Sequence, residues 1–375
     1  MQNIPLFKIY WDEQDIAEIT TAVRSGMSWA IGSNIEKFEK GIADYIGTKY
    51  AVVFNSGTSA LHAALLTYEL GEGAEVIVPS FTFIATANAA LFVGAKPVFA
   101  EIEEETYGLD PVDVRRKITP RTRAIIPIHY GGCPCLVNEL KQIVEEHGLI
   151  LIEDAAEAFG AAINGKKVGS FGDAAILSFC QNKVITTGEG GAVVTNSSKV
   201  YEKLKLVRSH GRLETANYFY STEYMDYMTL GYNFRMSNIT ASLGIAQLNK
   251  VDRIIEMRRK NAQYMTRMLS PIRAITTPYA PNGFSHVYQM YTVRLRNANL
   301  RDSLMKHLSG SGIMTHIYFP PVHLTRFYRR EFGYREGNLP ITEKVASEVL
   351  TLPMYPTLTK EETDYIGAQI SNFFA

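Results

Sequence analysis

The chain has 375 residues, 46% hydrophobic and 20% charged, with 28 glycines and 15 prolines; a chain of that size buries roughly 75% of its unfolded surface, which excludes disordered, collagen-like and disulfide-stapled classes. Thirty-eight Lys and Arg balance 38 Asp and Glu, so nothing pulls the chain toward nucleic acid or an anionic membrane, and small molecules are the expected partners. Three cysteines, Cys133, Cys135 and Cys180, are too few for a disulfide framework or a paired metal site, and with no leader pattern and no run of 18 apolar residues a cytoplasmic protein without a metal is expected.

In chain order, Ser33 and Glu36 form a capping-box pattern before an amphipathic stretch and predict a helix. Between residues 50 and 195 seven short apolar runs recur: YAVVFNS, EVIVPS, KPVFAEI, RAIIPIHY, LILIEDA, AAILSF and GAVVTN. Apolar on successive residues, they read as strands covered on both faces. Helical stretches such as NELKQIVEEHG separate most of them, and the alternation predicts an α/β fold with a mainly parallel sheet. From Ser237 a helical pattern runs to about residue 269 and predicts one long helix bridging two lobes. YQMYTVRL and IMTHIYF then read as strands among helices, the last helix opened by Thr359 and Glu362. The expected division is a large domain over 1–249 and a smaller α+β domain over 250–375.

Ligands of such sheets bind at the carboxyl ends of strands. Two familiar phosphate motifs fail: GAAINGK, from Gly160, has Walker A spacing but is followed by Lys167 where Ser or Thr is required, and Gly71 and Gly73 are followed by Val76 where a dinucleotide fingerprint needs glycine. Three other features survive. Phe54-Asn55-Ser56-Gly57-Thr58-Ser59 closes a strand and opens a helix, gathering backbone N–H groups, hydroxyls and a helix dipole suited to a phosphate. Asp154 ends the very apolar strand LILIED, where a carboxylate needs a cation or several donors. Lys183 lies beyond another apolar strand and before the turn Gly188-Glu189-Gly190-Gly191, where its amine is a usable nucleophile toward an aldehyde. Singly they read as an N-cap, a salt-bridged acid and a loop lysine. Together they fit pyridoxal phosphate, which needs a lysine for its aldehyde, a carboxylate for its ring nitrogen and a helix N-terminus for its phosphate.

With those features go FNSGTSAL, VPSFTFIATANAALFVGAKPVF, IEDAAEAFGA, SFCQNKVITTGEGGAVVTN, GYNFRMSNITASLGIAQL and LPMYPTLT, in order over nearly the whole chain. In these segments it resembles the sugar aminotransferases of the DegT/DnrJ/EryC1/StrS family, within the fold-type I pyridoxal-phosphate enzymes. That resemblance implies a large domain carrying a seven-stranded sheet, Lys183 as the catalytic Schiff-base lysine and Asp154 as the ring-nitrogen partner. It puts Phe83 against the cofactor ring and Thr58, Ser59 and Ser178 at the phosphate, beside Ser56 and Gly57 of the turn already read as a phosphate site. Asn233, in GYNFR, matches an asparagine reaching from the neighbouring subunit, which implies a homodimer with shared active sites. Glu157 stands near the cofactor's 3-oxygen where most relatives have Gln, and His316, Tyr318 and His323, in THIYFPPVHL, fall in a substrate-proximal segment. His62, His129 and His210 are read as structural.

QNKVITTGEGG and EDAAEA are closer to perosamine-synthase-like 4-aminotransferases, and Cys180 stands where the commoner pattern has a histidine. The implied reaction is a two-stage transfer from L-glutamate, through pyridoxamine phosphate, to C4 of a nucleotide-linked 4-keto-6-deoxyhexose, in deoxyaminosugar or O-antigen polysaccharide biosynthesis. The rival expectations are amination at C3 or of a carbocycle, and a non-catalytic cofactor-binding regulator. A regulator calls for a DNA-binding module or basic arm, and the sequence displays neither.

Overall fold

All seven apolar runs become strands of one sheet: β1 (Tyr50–Phe54), β2 (Glu75–Pro79), β3 (Lys96–Ala100), β4 (Thr122–Ile125), β5 (Ile150–Asp154), β6 (Ala174–Ser178) and β7 (Gly191–Thr195). The computed structural model describes residues 3–213 and 221–375. Across the sheet the order is β1-β7-β6-β5-β4-β2-β3, parallel except for β7, which runs antiparallel between β1 and β6. Alternate residues feed two cores: Val53 and Ile77 pack on one face with Phe38 and Phe179, whereas Val52, Phe54, Val76 and Val78 pack on the other with Leu61 and Leu65. Two-sided burial is the physical reason the strands are apolar at every position.

Helices α1 (Glu13–Arg24) and α2 (Ser33–Ile46) precede the sheet; α3 (Gly57–Thr67), α4 (Ile84–Phe92), α5 (Pro111–Lys117), α6 (Val137–His147) and α7 (Ser198–Arg208) link or follow its strands. The Ser33 capping box does not form. Gly32 is the N-cap of α2, and the side chain of Asn238, 204 residues away, accepts the Asn34 N–H at 3.0 Å instead. A Cβ on Gly32 would come within 2.6 Å of that Asn238 side chain, so only glycine admits the distant cap.

The single long helix expected from Ser237 is two, α8 (Asn238–Leu248) and α9 (Val251–Leu269). Lys250, at φ −118 and ψ 9, interrupts them. Its buried ammonium binds Asp12 at 2.5 Å and Asp15 at 2.7 Å, and the local kink accompanies that tie to α1.

Beyond α9 a three-stranded antiparallel sheet, β8 (Ile275–Thr276), β9 (Tyr291–Leu295) and β10 (Val349–Leu352), builds the second lobe. Its core joins Met265 and Leu269 to Tyr291, Val293, Leu350 and Ile366. IMTHIYF, expected as a strand, makes only isolated bridges, Ile313 to Ile4 and His316 to Thr351, before Pro320 and Pro321 remove the ladder donors. Ile4 is buried in this same core, so the first residues pack with the C-terminal lobe rather than with the 1–249 unit expected to contain them. The Thr359–Glu362 capping box forms as expected and opens the last helix, Lys360–Phe374. Among the described residues no helix is long and apolar enough to cross a membrane.

Candidate active site

The carboxyl ends of β1, β5 and β6 open on one cavity of about 400 Å³. Its wall includes Ser56, Gly57 and Thr58 from the start of α3, Phe83 and Thr86 from the start of α4, Asp154 and Glu157 after β5, and Ser178 and Lys183 after β6. Sequence-distant residues thus meet because successive parallel strands deliver their carboxyl ends to one edge.

At the start of α3, Ser56 Oγ accepts the Ser59 N–H at 3.1 Å. The Ser59 hydroxyl donates to Asn55 Oδ1 at 2.7 Å and is absent from the cavity wall. First-turn N–H groups have no acceptor within their own helix, and those of Gly57 and Thr58 belong to wall residues. Gly57 faces Ser178 across a narrow gap, where a Cβ would lie 3.1 Å from Ser178 Cβ. The result is a cradle of backbone donors, a hydroxyl and a positive helix end, which fits a phosphate.

Asp154 is 3% exposed. Its Oδ2 accepts the Thr86 hydroxyl at 2.7 Å and its Oδ1 the Ala156 N–H at 3.2 Å. Burial pushes its carboxyl above the usual range, opposed in part by those two hydrogen bonds. Among the described residues it has no salt-bridge partner, so a protonated ring nitrogen would supply the cation it lacks. Lys183 Nζ lies 3.5 Å from Glu157 Oε1, while Glu157 Oε2 accepts the Gly131 N–H at 2.9 Å. Phe83 is 58% exposed at the wall, a flat apolar face free to cover a planar ligand.

Of the three residues expected near the substrate, Tyr318 lines the cavity. His316 is exposed, edge-on to Tyr318 with ring centroids 4.4 Å apart, and lies outside the wall. His323 must be reassigned. It is fully buried, its Nδ1 2.7 Å from Ser80 Oγ and its Nε2 3.1 Å from Glu343 Oε1, so both nitrogens are engaged inside the fold. Asn233 is exposed and outside the wall, its carbonyl accepting Asn55 Nδ2 at 3.4 Å.

Residues the sequence reading passed over include Thr86, Met290 and Asn182, all at the wall. Thr86 sits inside a segment already singled out, but a helical threonine carries no signal of its partner. His129, read as structural, is buried and pairs with Glu153 at 3.0 Å, on the residue beside Asp154.

The profile of the DegT/DnrJ/EryC1/StrS aminotransferase family matches residues 10–371. GDP-perosamine synthase of Caulobacter vibrioides is 38% identical over 344 residues, 91% of this chain and 90% of that protein. UDP-N-acetyl-3-dehydro-alpha-D-glucosamine 3-aminotransferase of Acidithiobacillus ferrooxidans is 36% identical over 345 residues, 92% and 89% of the two chains. The PLP form of Spr1654 from Streptococcus pneumoniae superposes with a TM-score of 0.93 at 27% identity, over 99% of this chain and 98% of that one.

Proposed function

The chain belongs to the DegT/DnrJ/EryC1/StrS aminotransferase family and is a pyridoxal-phosphate-dependent sugar aminotransferase; from that premise we propose that it moves the amino group of L-glutamate to C4 of a nucleotide-linked 4-keto-6-deoxyhexose. The observation that carries the reading is the convergence of Asp154, Lys183, Phe83 and the α3 N-terminus on one cavity.

Pyridoxal phosphate, when bound, supplies an aldehyde that takes up the amino group and a conjugated ring that spreads negative charge. The N–H groups of Gly57 and Thr58, with the Ser178 hydroxyl, would hold its phosphate. Asp154, with both oxygens fixed by Thr86 and Ala156, would face its ring nitrogen and favour the protonated form. Phe83 would cover a ring face. Lys183 would hold the aldehyde and, once released, carry the proton between cofactor and substrate carbons. Glu157, 3.5 Å away, would hold the free amine at the cavity wall, next to the reacting position. Tyr318 borders the same space and presents an aromatic ring to the sugar side.

A homodimer with shared sites is part of the proposal. Near the exposed Asn233, the side chains of Tyr227, Met228 and Leu230 are also exposed, apolar surface that a second copy would cover. Light scattering at assay concentration checks it, with a monomer as the contrary outcome.

C4 is favoured by the motifs shared with 4-aminotransferases and by the 38% identity to a perosamine synthase. C3 is the second reading, supported by the 36% identity to a 3-aminotransferase. Purified protein given L-glutamate with either a 4-keto-6-deoxy or a 3-keto nucleotide sugar separates them, because NMR of the product identifies the carbon that gained nitrogen. Amination at C3 alone overturns the C4 assignment. Loss of turnover and of the cofactor's visible band in Lys183→Ala tests the site itself.

A further inference from the structure

Asp154 has to be charged where burial opposes charge, and the sequence motifs do not say what compensates it. The structure supplies a chain of hydroxyls. Thr86 Oγ is 2.7 Å from Asp154 Oδ2, and an ionised carboxylate has no proton to give, so Thr86 is the donor. With its single proton committed there, Thr86 can only accept from Thr82, whose Oγ is 2.8 Å away. Both threonines are 1% exposed, so each link is largely shielded from bulk water.

Their placement is equally specific. Thr82 precedes the extended N-cap Phe83 and Thr86 is the third residue of α4, so the turn of the chain into the helix brings the two hydroxyls together. Thr86 lies in the first turn, where the positive helix end also favours a carboxylate. Phe83, the N-cap of α4, sits between them in sequence and lines the cavity. One helix start therefore carries both the residue offered to the ring face and the donor that aims Asp154.

We propose that Thr82 and Thr86 form a directed hydroxyl relay, Thr82 to Thr86 to Asp154, that positions the carboxylate toward the cofactor's ring nitrogen; the proposal rests on the assignment of Asp154 made above. No proton is transferred along the relay. Thr86 is a positioning residue, acting through Asp154, and Thr82 acts through Thr86.

The test reconstitutes the wild type, Thr86→Val, Thr86→Ser, Thr82→Val and Asp154→Asn with pyridoxal phosphate labelled with 15N in the ring. The nitrogen chemical shift is followed with pH, alongside cofactor affinity and turnover. Removing one hydrogen bond to a charged group is expected to move the pH midpoint of ring-nitrogen protonation down by about one unit and to lower kcat about tenfold in Thr86→Val, leaving the KM for glutamate nearly unchanged. Thr86→Ser restores the wild-type signal, and Thr82→Val shifts it the same way by less. A wild-type nitrogen signal in Thr86→Val, with Asp154→Asn clearly shifted, overturns the relay. A wild-type signal in Asp154→Asn as well places the failure in the Asp154 assignment. Should Thr86→Val not fold or not hold cofactor, Thr82→Val decides, since its side chain is outside the cavity wall: no shift there refutes the relay.

Discussion

Gly191 lies outside the cavity wall, yet replacing it with alanine is expected to damage the phosphate cradle. It opens β7, paired on one side with Phe54 and on the other with Ser178. A Cβ at Gly191 would lie 2.6 Å from the backbone N of Gly57 and 2.6 Å from the carbonyl carbon and oxygen of Ser56. Ordinary carbon contacts need about 3.5 Å or more, so something must move by about 1 Å. The flanking strands are buried and held in register, whereas Ser56 and Gly57 form the turn into α3; the turn gives way. Overpacking of this kind costs about 1–3 kcal/mol of stability. Losing one charge-assisted hydrogen bond from the displaced N–H groups weakens cofactor binding by roughly tenfold or more. Titrating the cofactor-free protein with pyridoxal phosphate by absorbance, with melting curves with and without cofactor, reads both effects. Gly310→Ala, where a Cβ meets nothing within 4 Å, is the control and should change neither. Wild-type affinity in Gly191→Ala refutes the idea that the cradle is set by backbone contact with β7.

Three further outcomes are expected. Because burial raises the Asp154 carboxyl above its usual value, the cofactor-free native state holds that proton more tightly than the unfolded chain does. Stability then falls as pH rises from the ordinary carboxylate range through the raised value; cofactor-free Asp154→Asn should melt above wild type near neutral pH, and the gain should vanish in acid. Glu153 faces the opposite way: burial would raise its carboxyl, but His129 and the N–H groups of Gly169 and Gly172 outweigh burial and hold it below the usual value. Its contribution is present above the ordinary carboxylate range and lost as pH falls through the depressed value. Glu153→Gln, which turns an amide NH₂ toward the N–H groups of Gly169, Phe171 or Gly172, should cost about 3–5 kcal/mol in denaturant titration, and a loss under about 1 kcal/mol counts against it. His323→Phe should lower the melting temperature and leave the KM for the sugar nucleotide unchanged, since the ring lies between Ser80 and Glu343; a raised KM with unchanged stability would restore the substrate role first expected of it.

The strands were readable because a strand buried on both faces must be apolar at successive positions, a property each segment carries by itself: all seven runs from YAVVF to GAVVT form the sheet. Lys183, Asp154 and the SGT turn were readable for a related reason. A carboxylate or an amine at the end of an apolar strand is out of place unless something meets it, and three such anomalies in one chain point to one ligand. What stayed hidden depends on partners remote in sequence. The side chain that accepts a first-turn N–H of α2 belongs to Asn238 rather than to Ser33, the helix from Ser237 breaks where Lys250 turns to Asp12 and Asp15, and His323 is enclosed while Tyr318, five residues earlier, reaches the cavity. The chain alone therefore determined which segments are strands and which residues do chemistry, because apolar runs and stranded charges are local facts. Only the tertiary structure decided which side chain satisfies which, because a hydroxyl, a cap or an ammonium finds its partner by distance in space, and nothing in the order of residues records that distance.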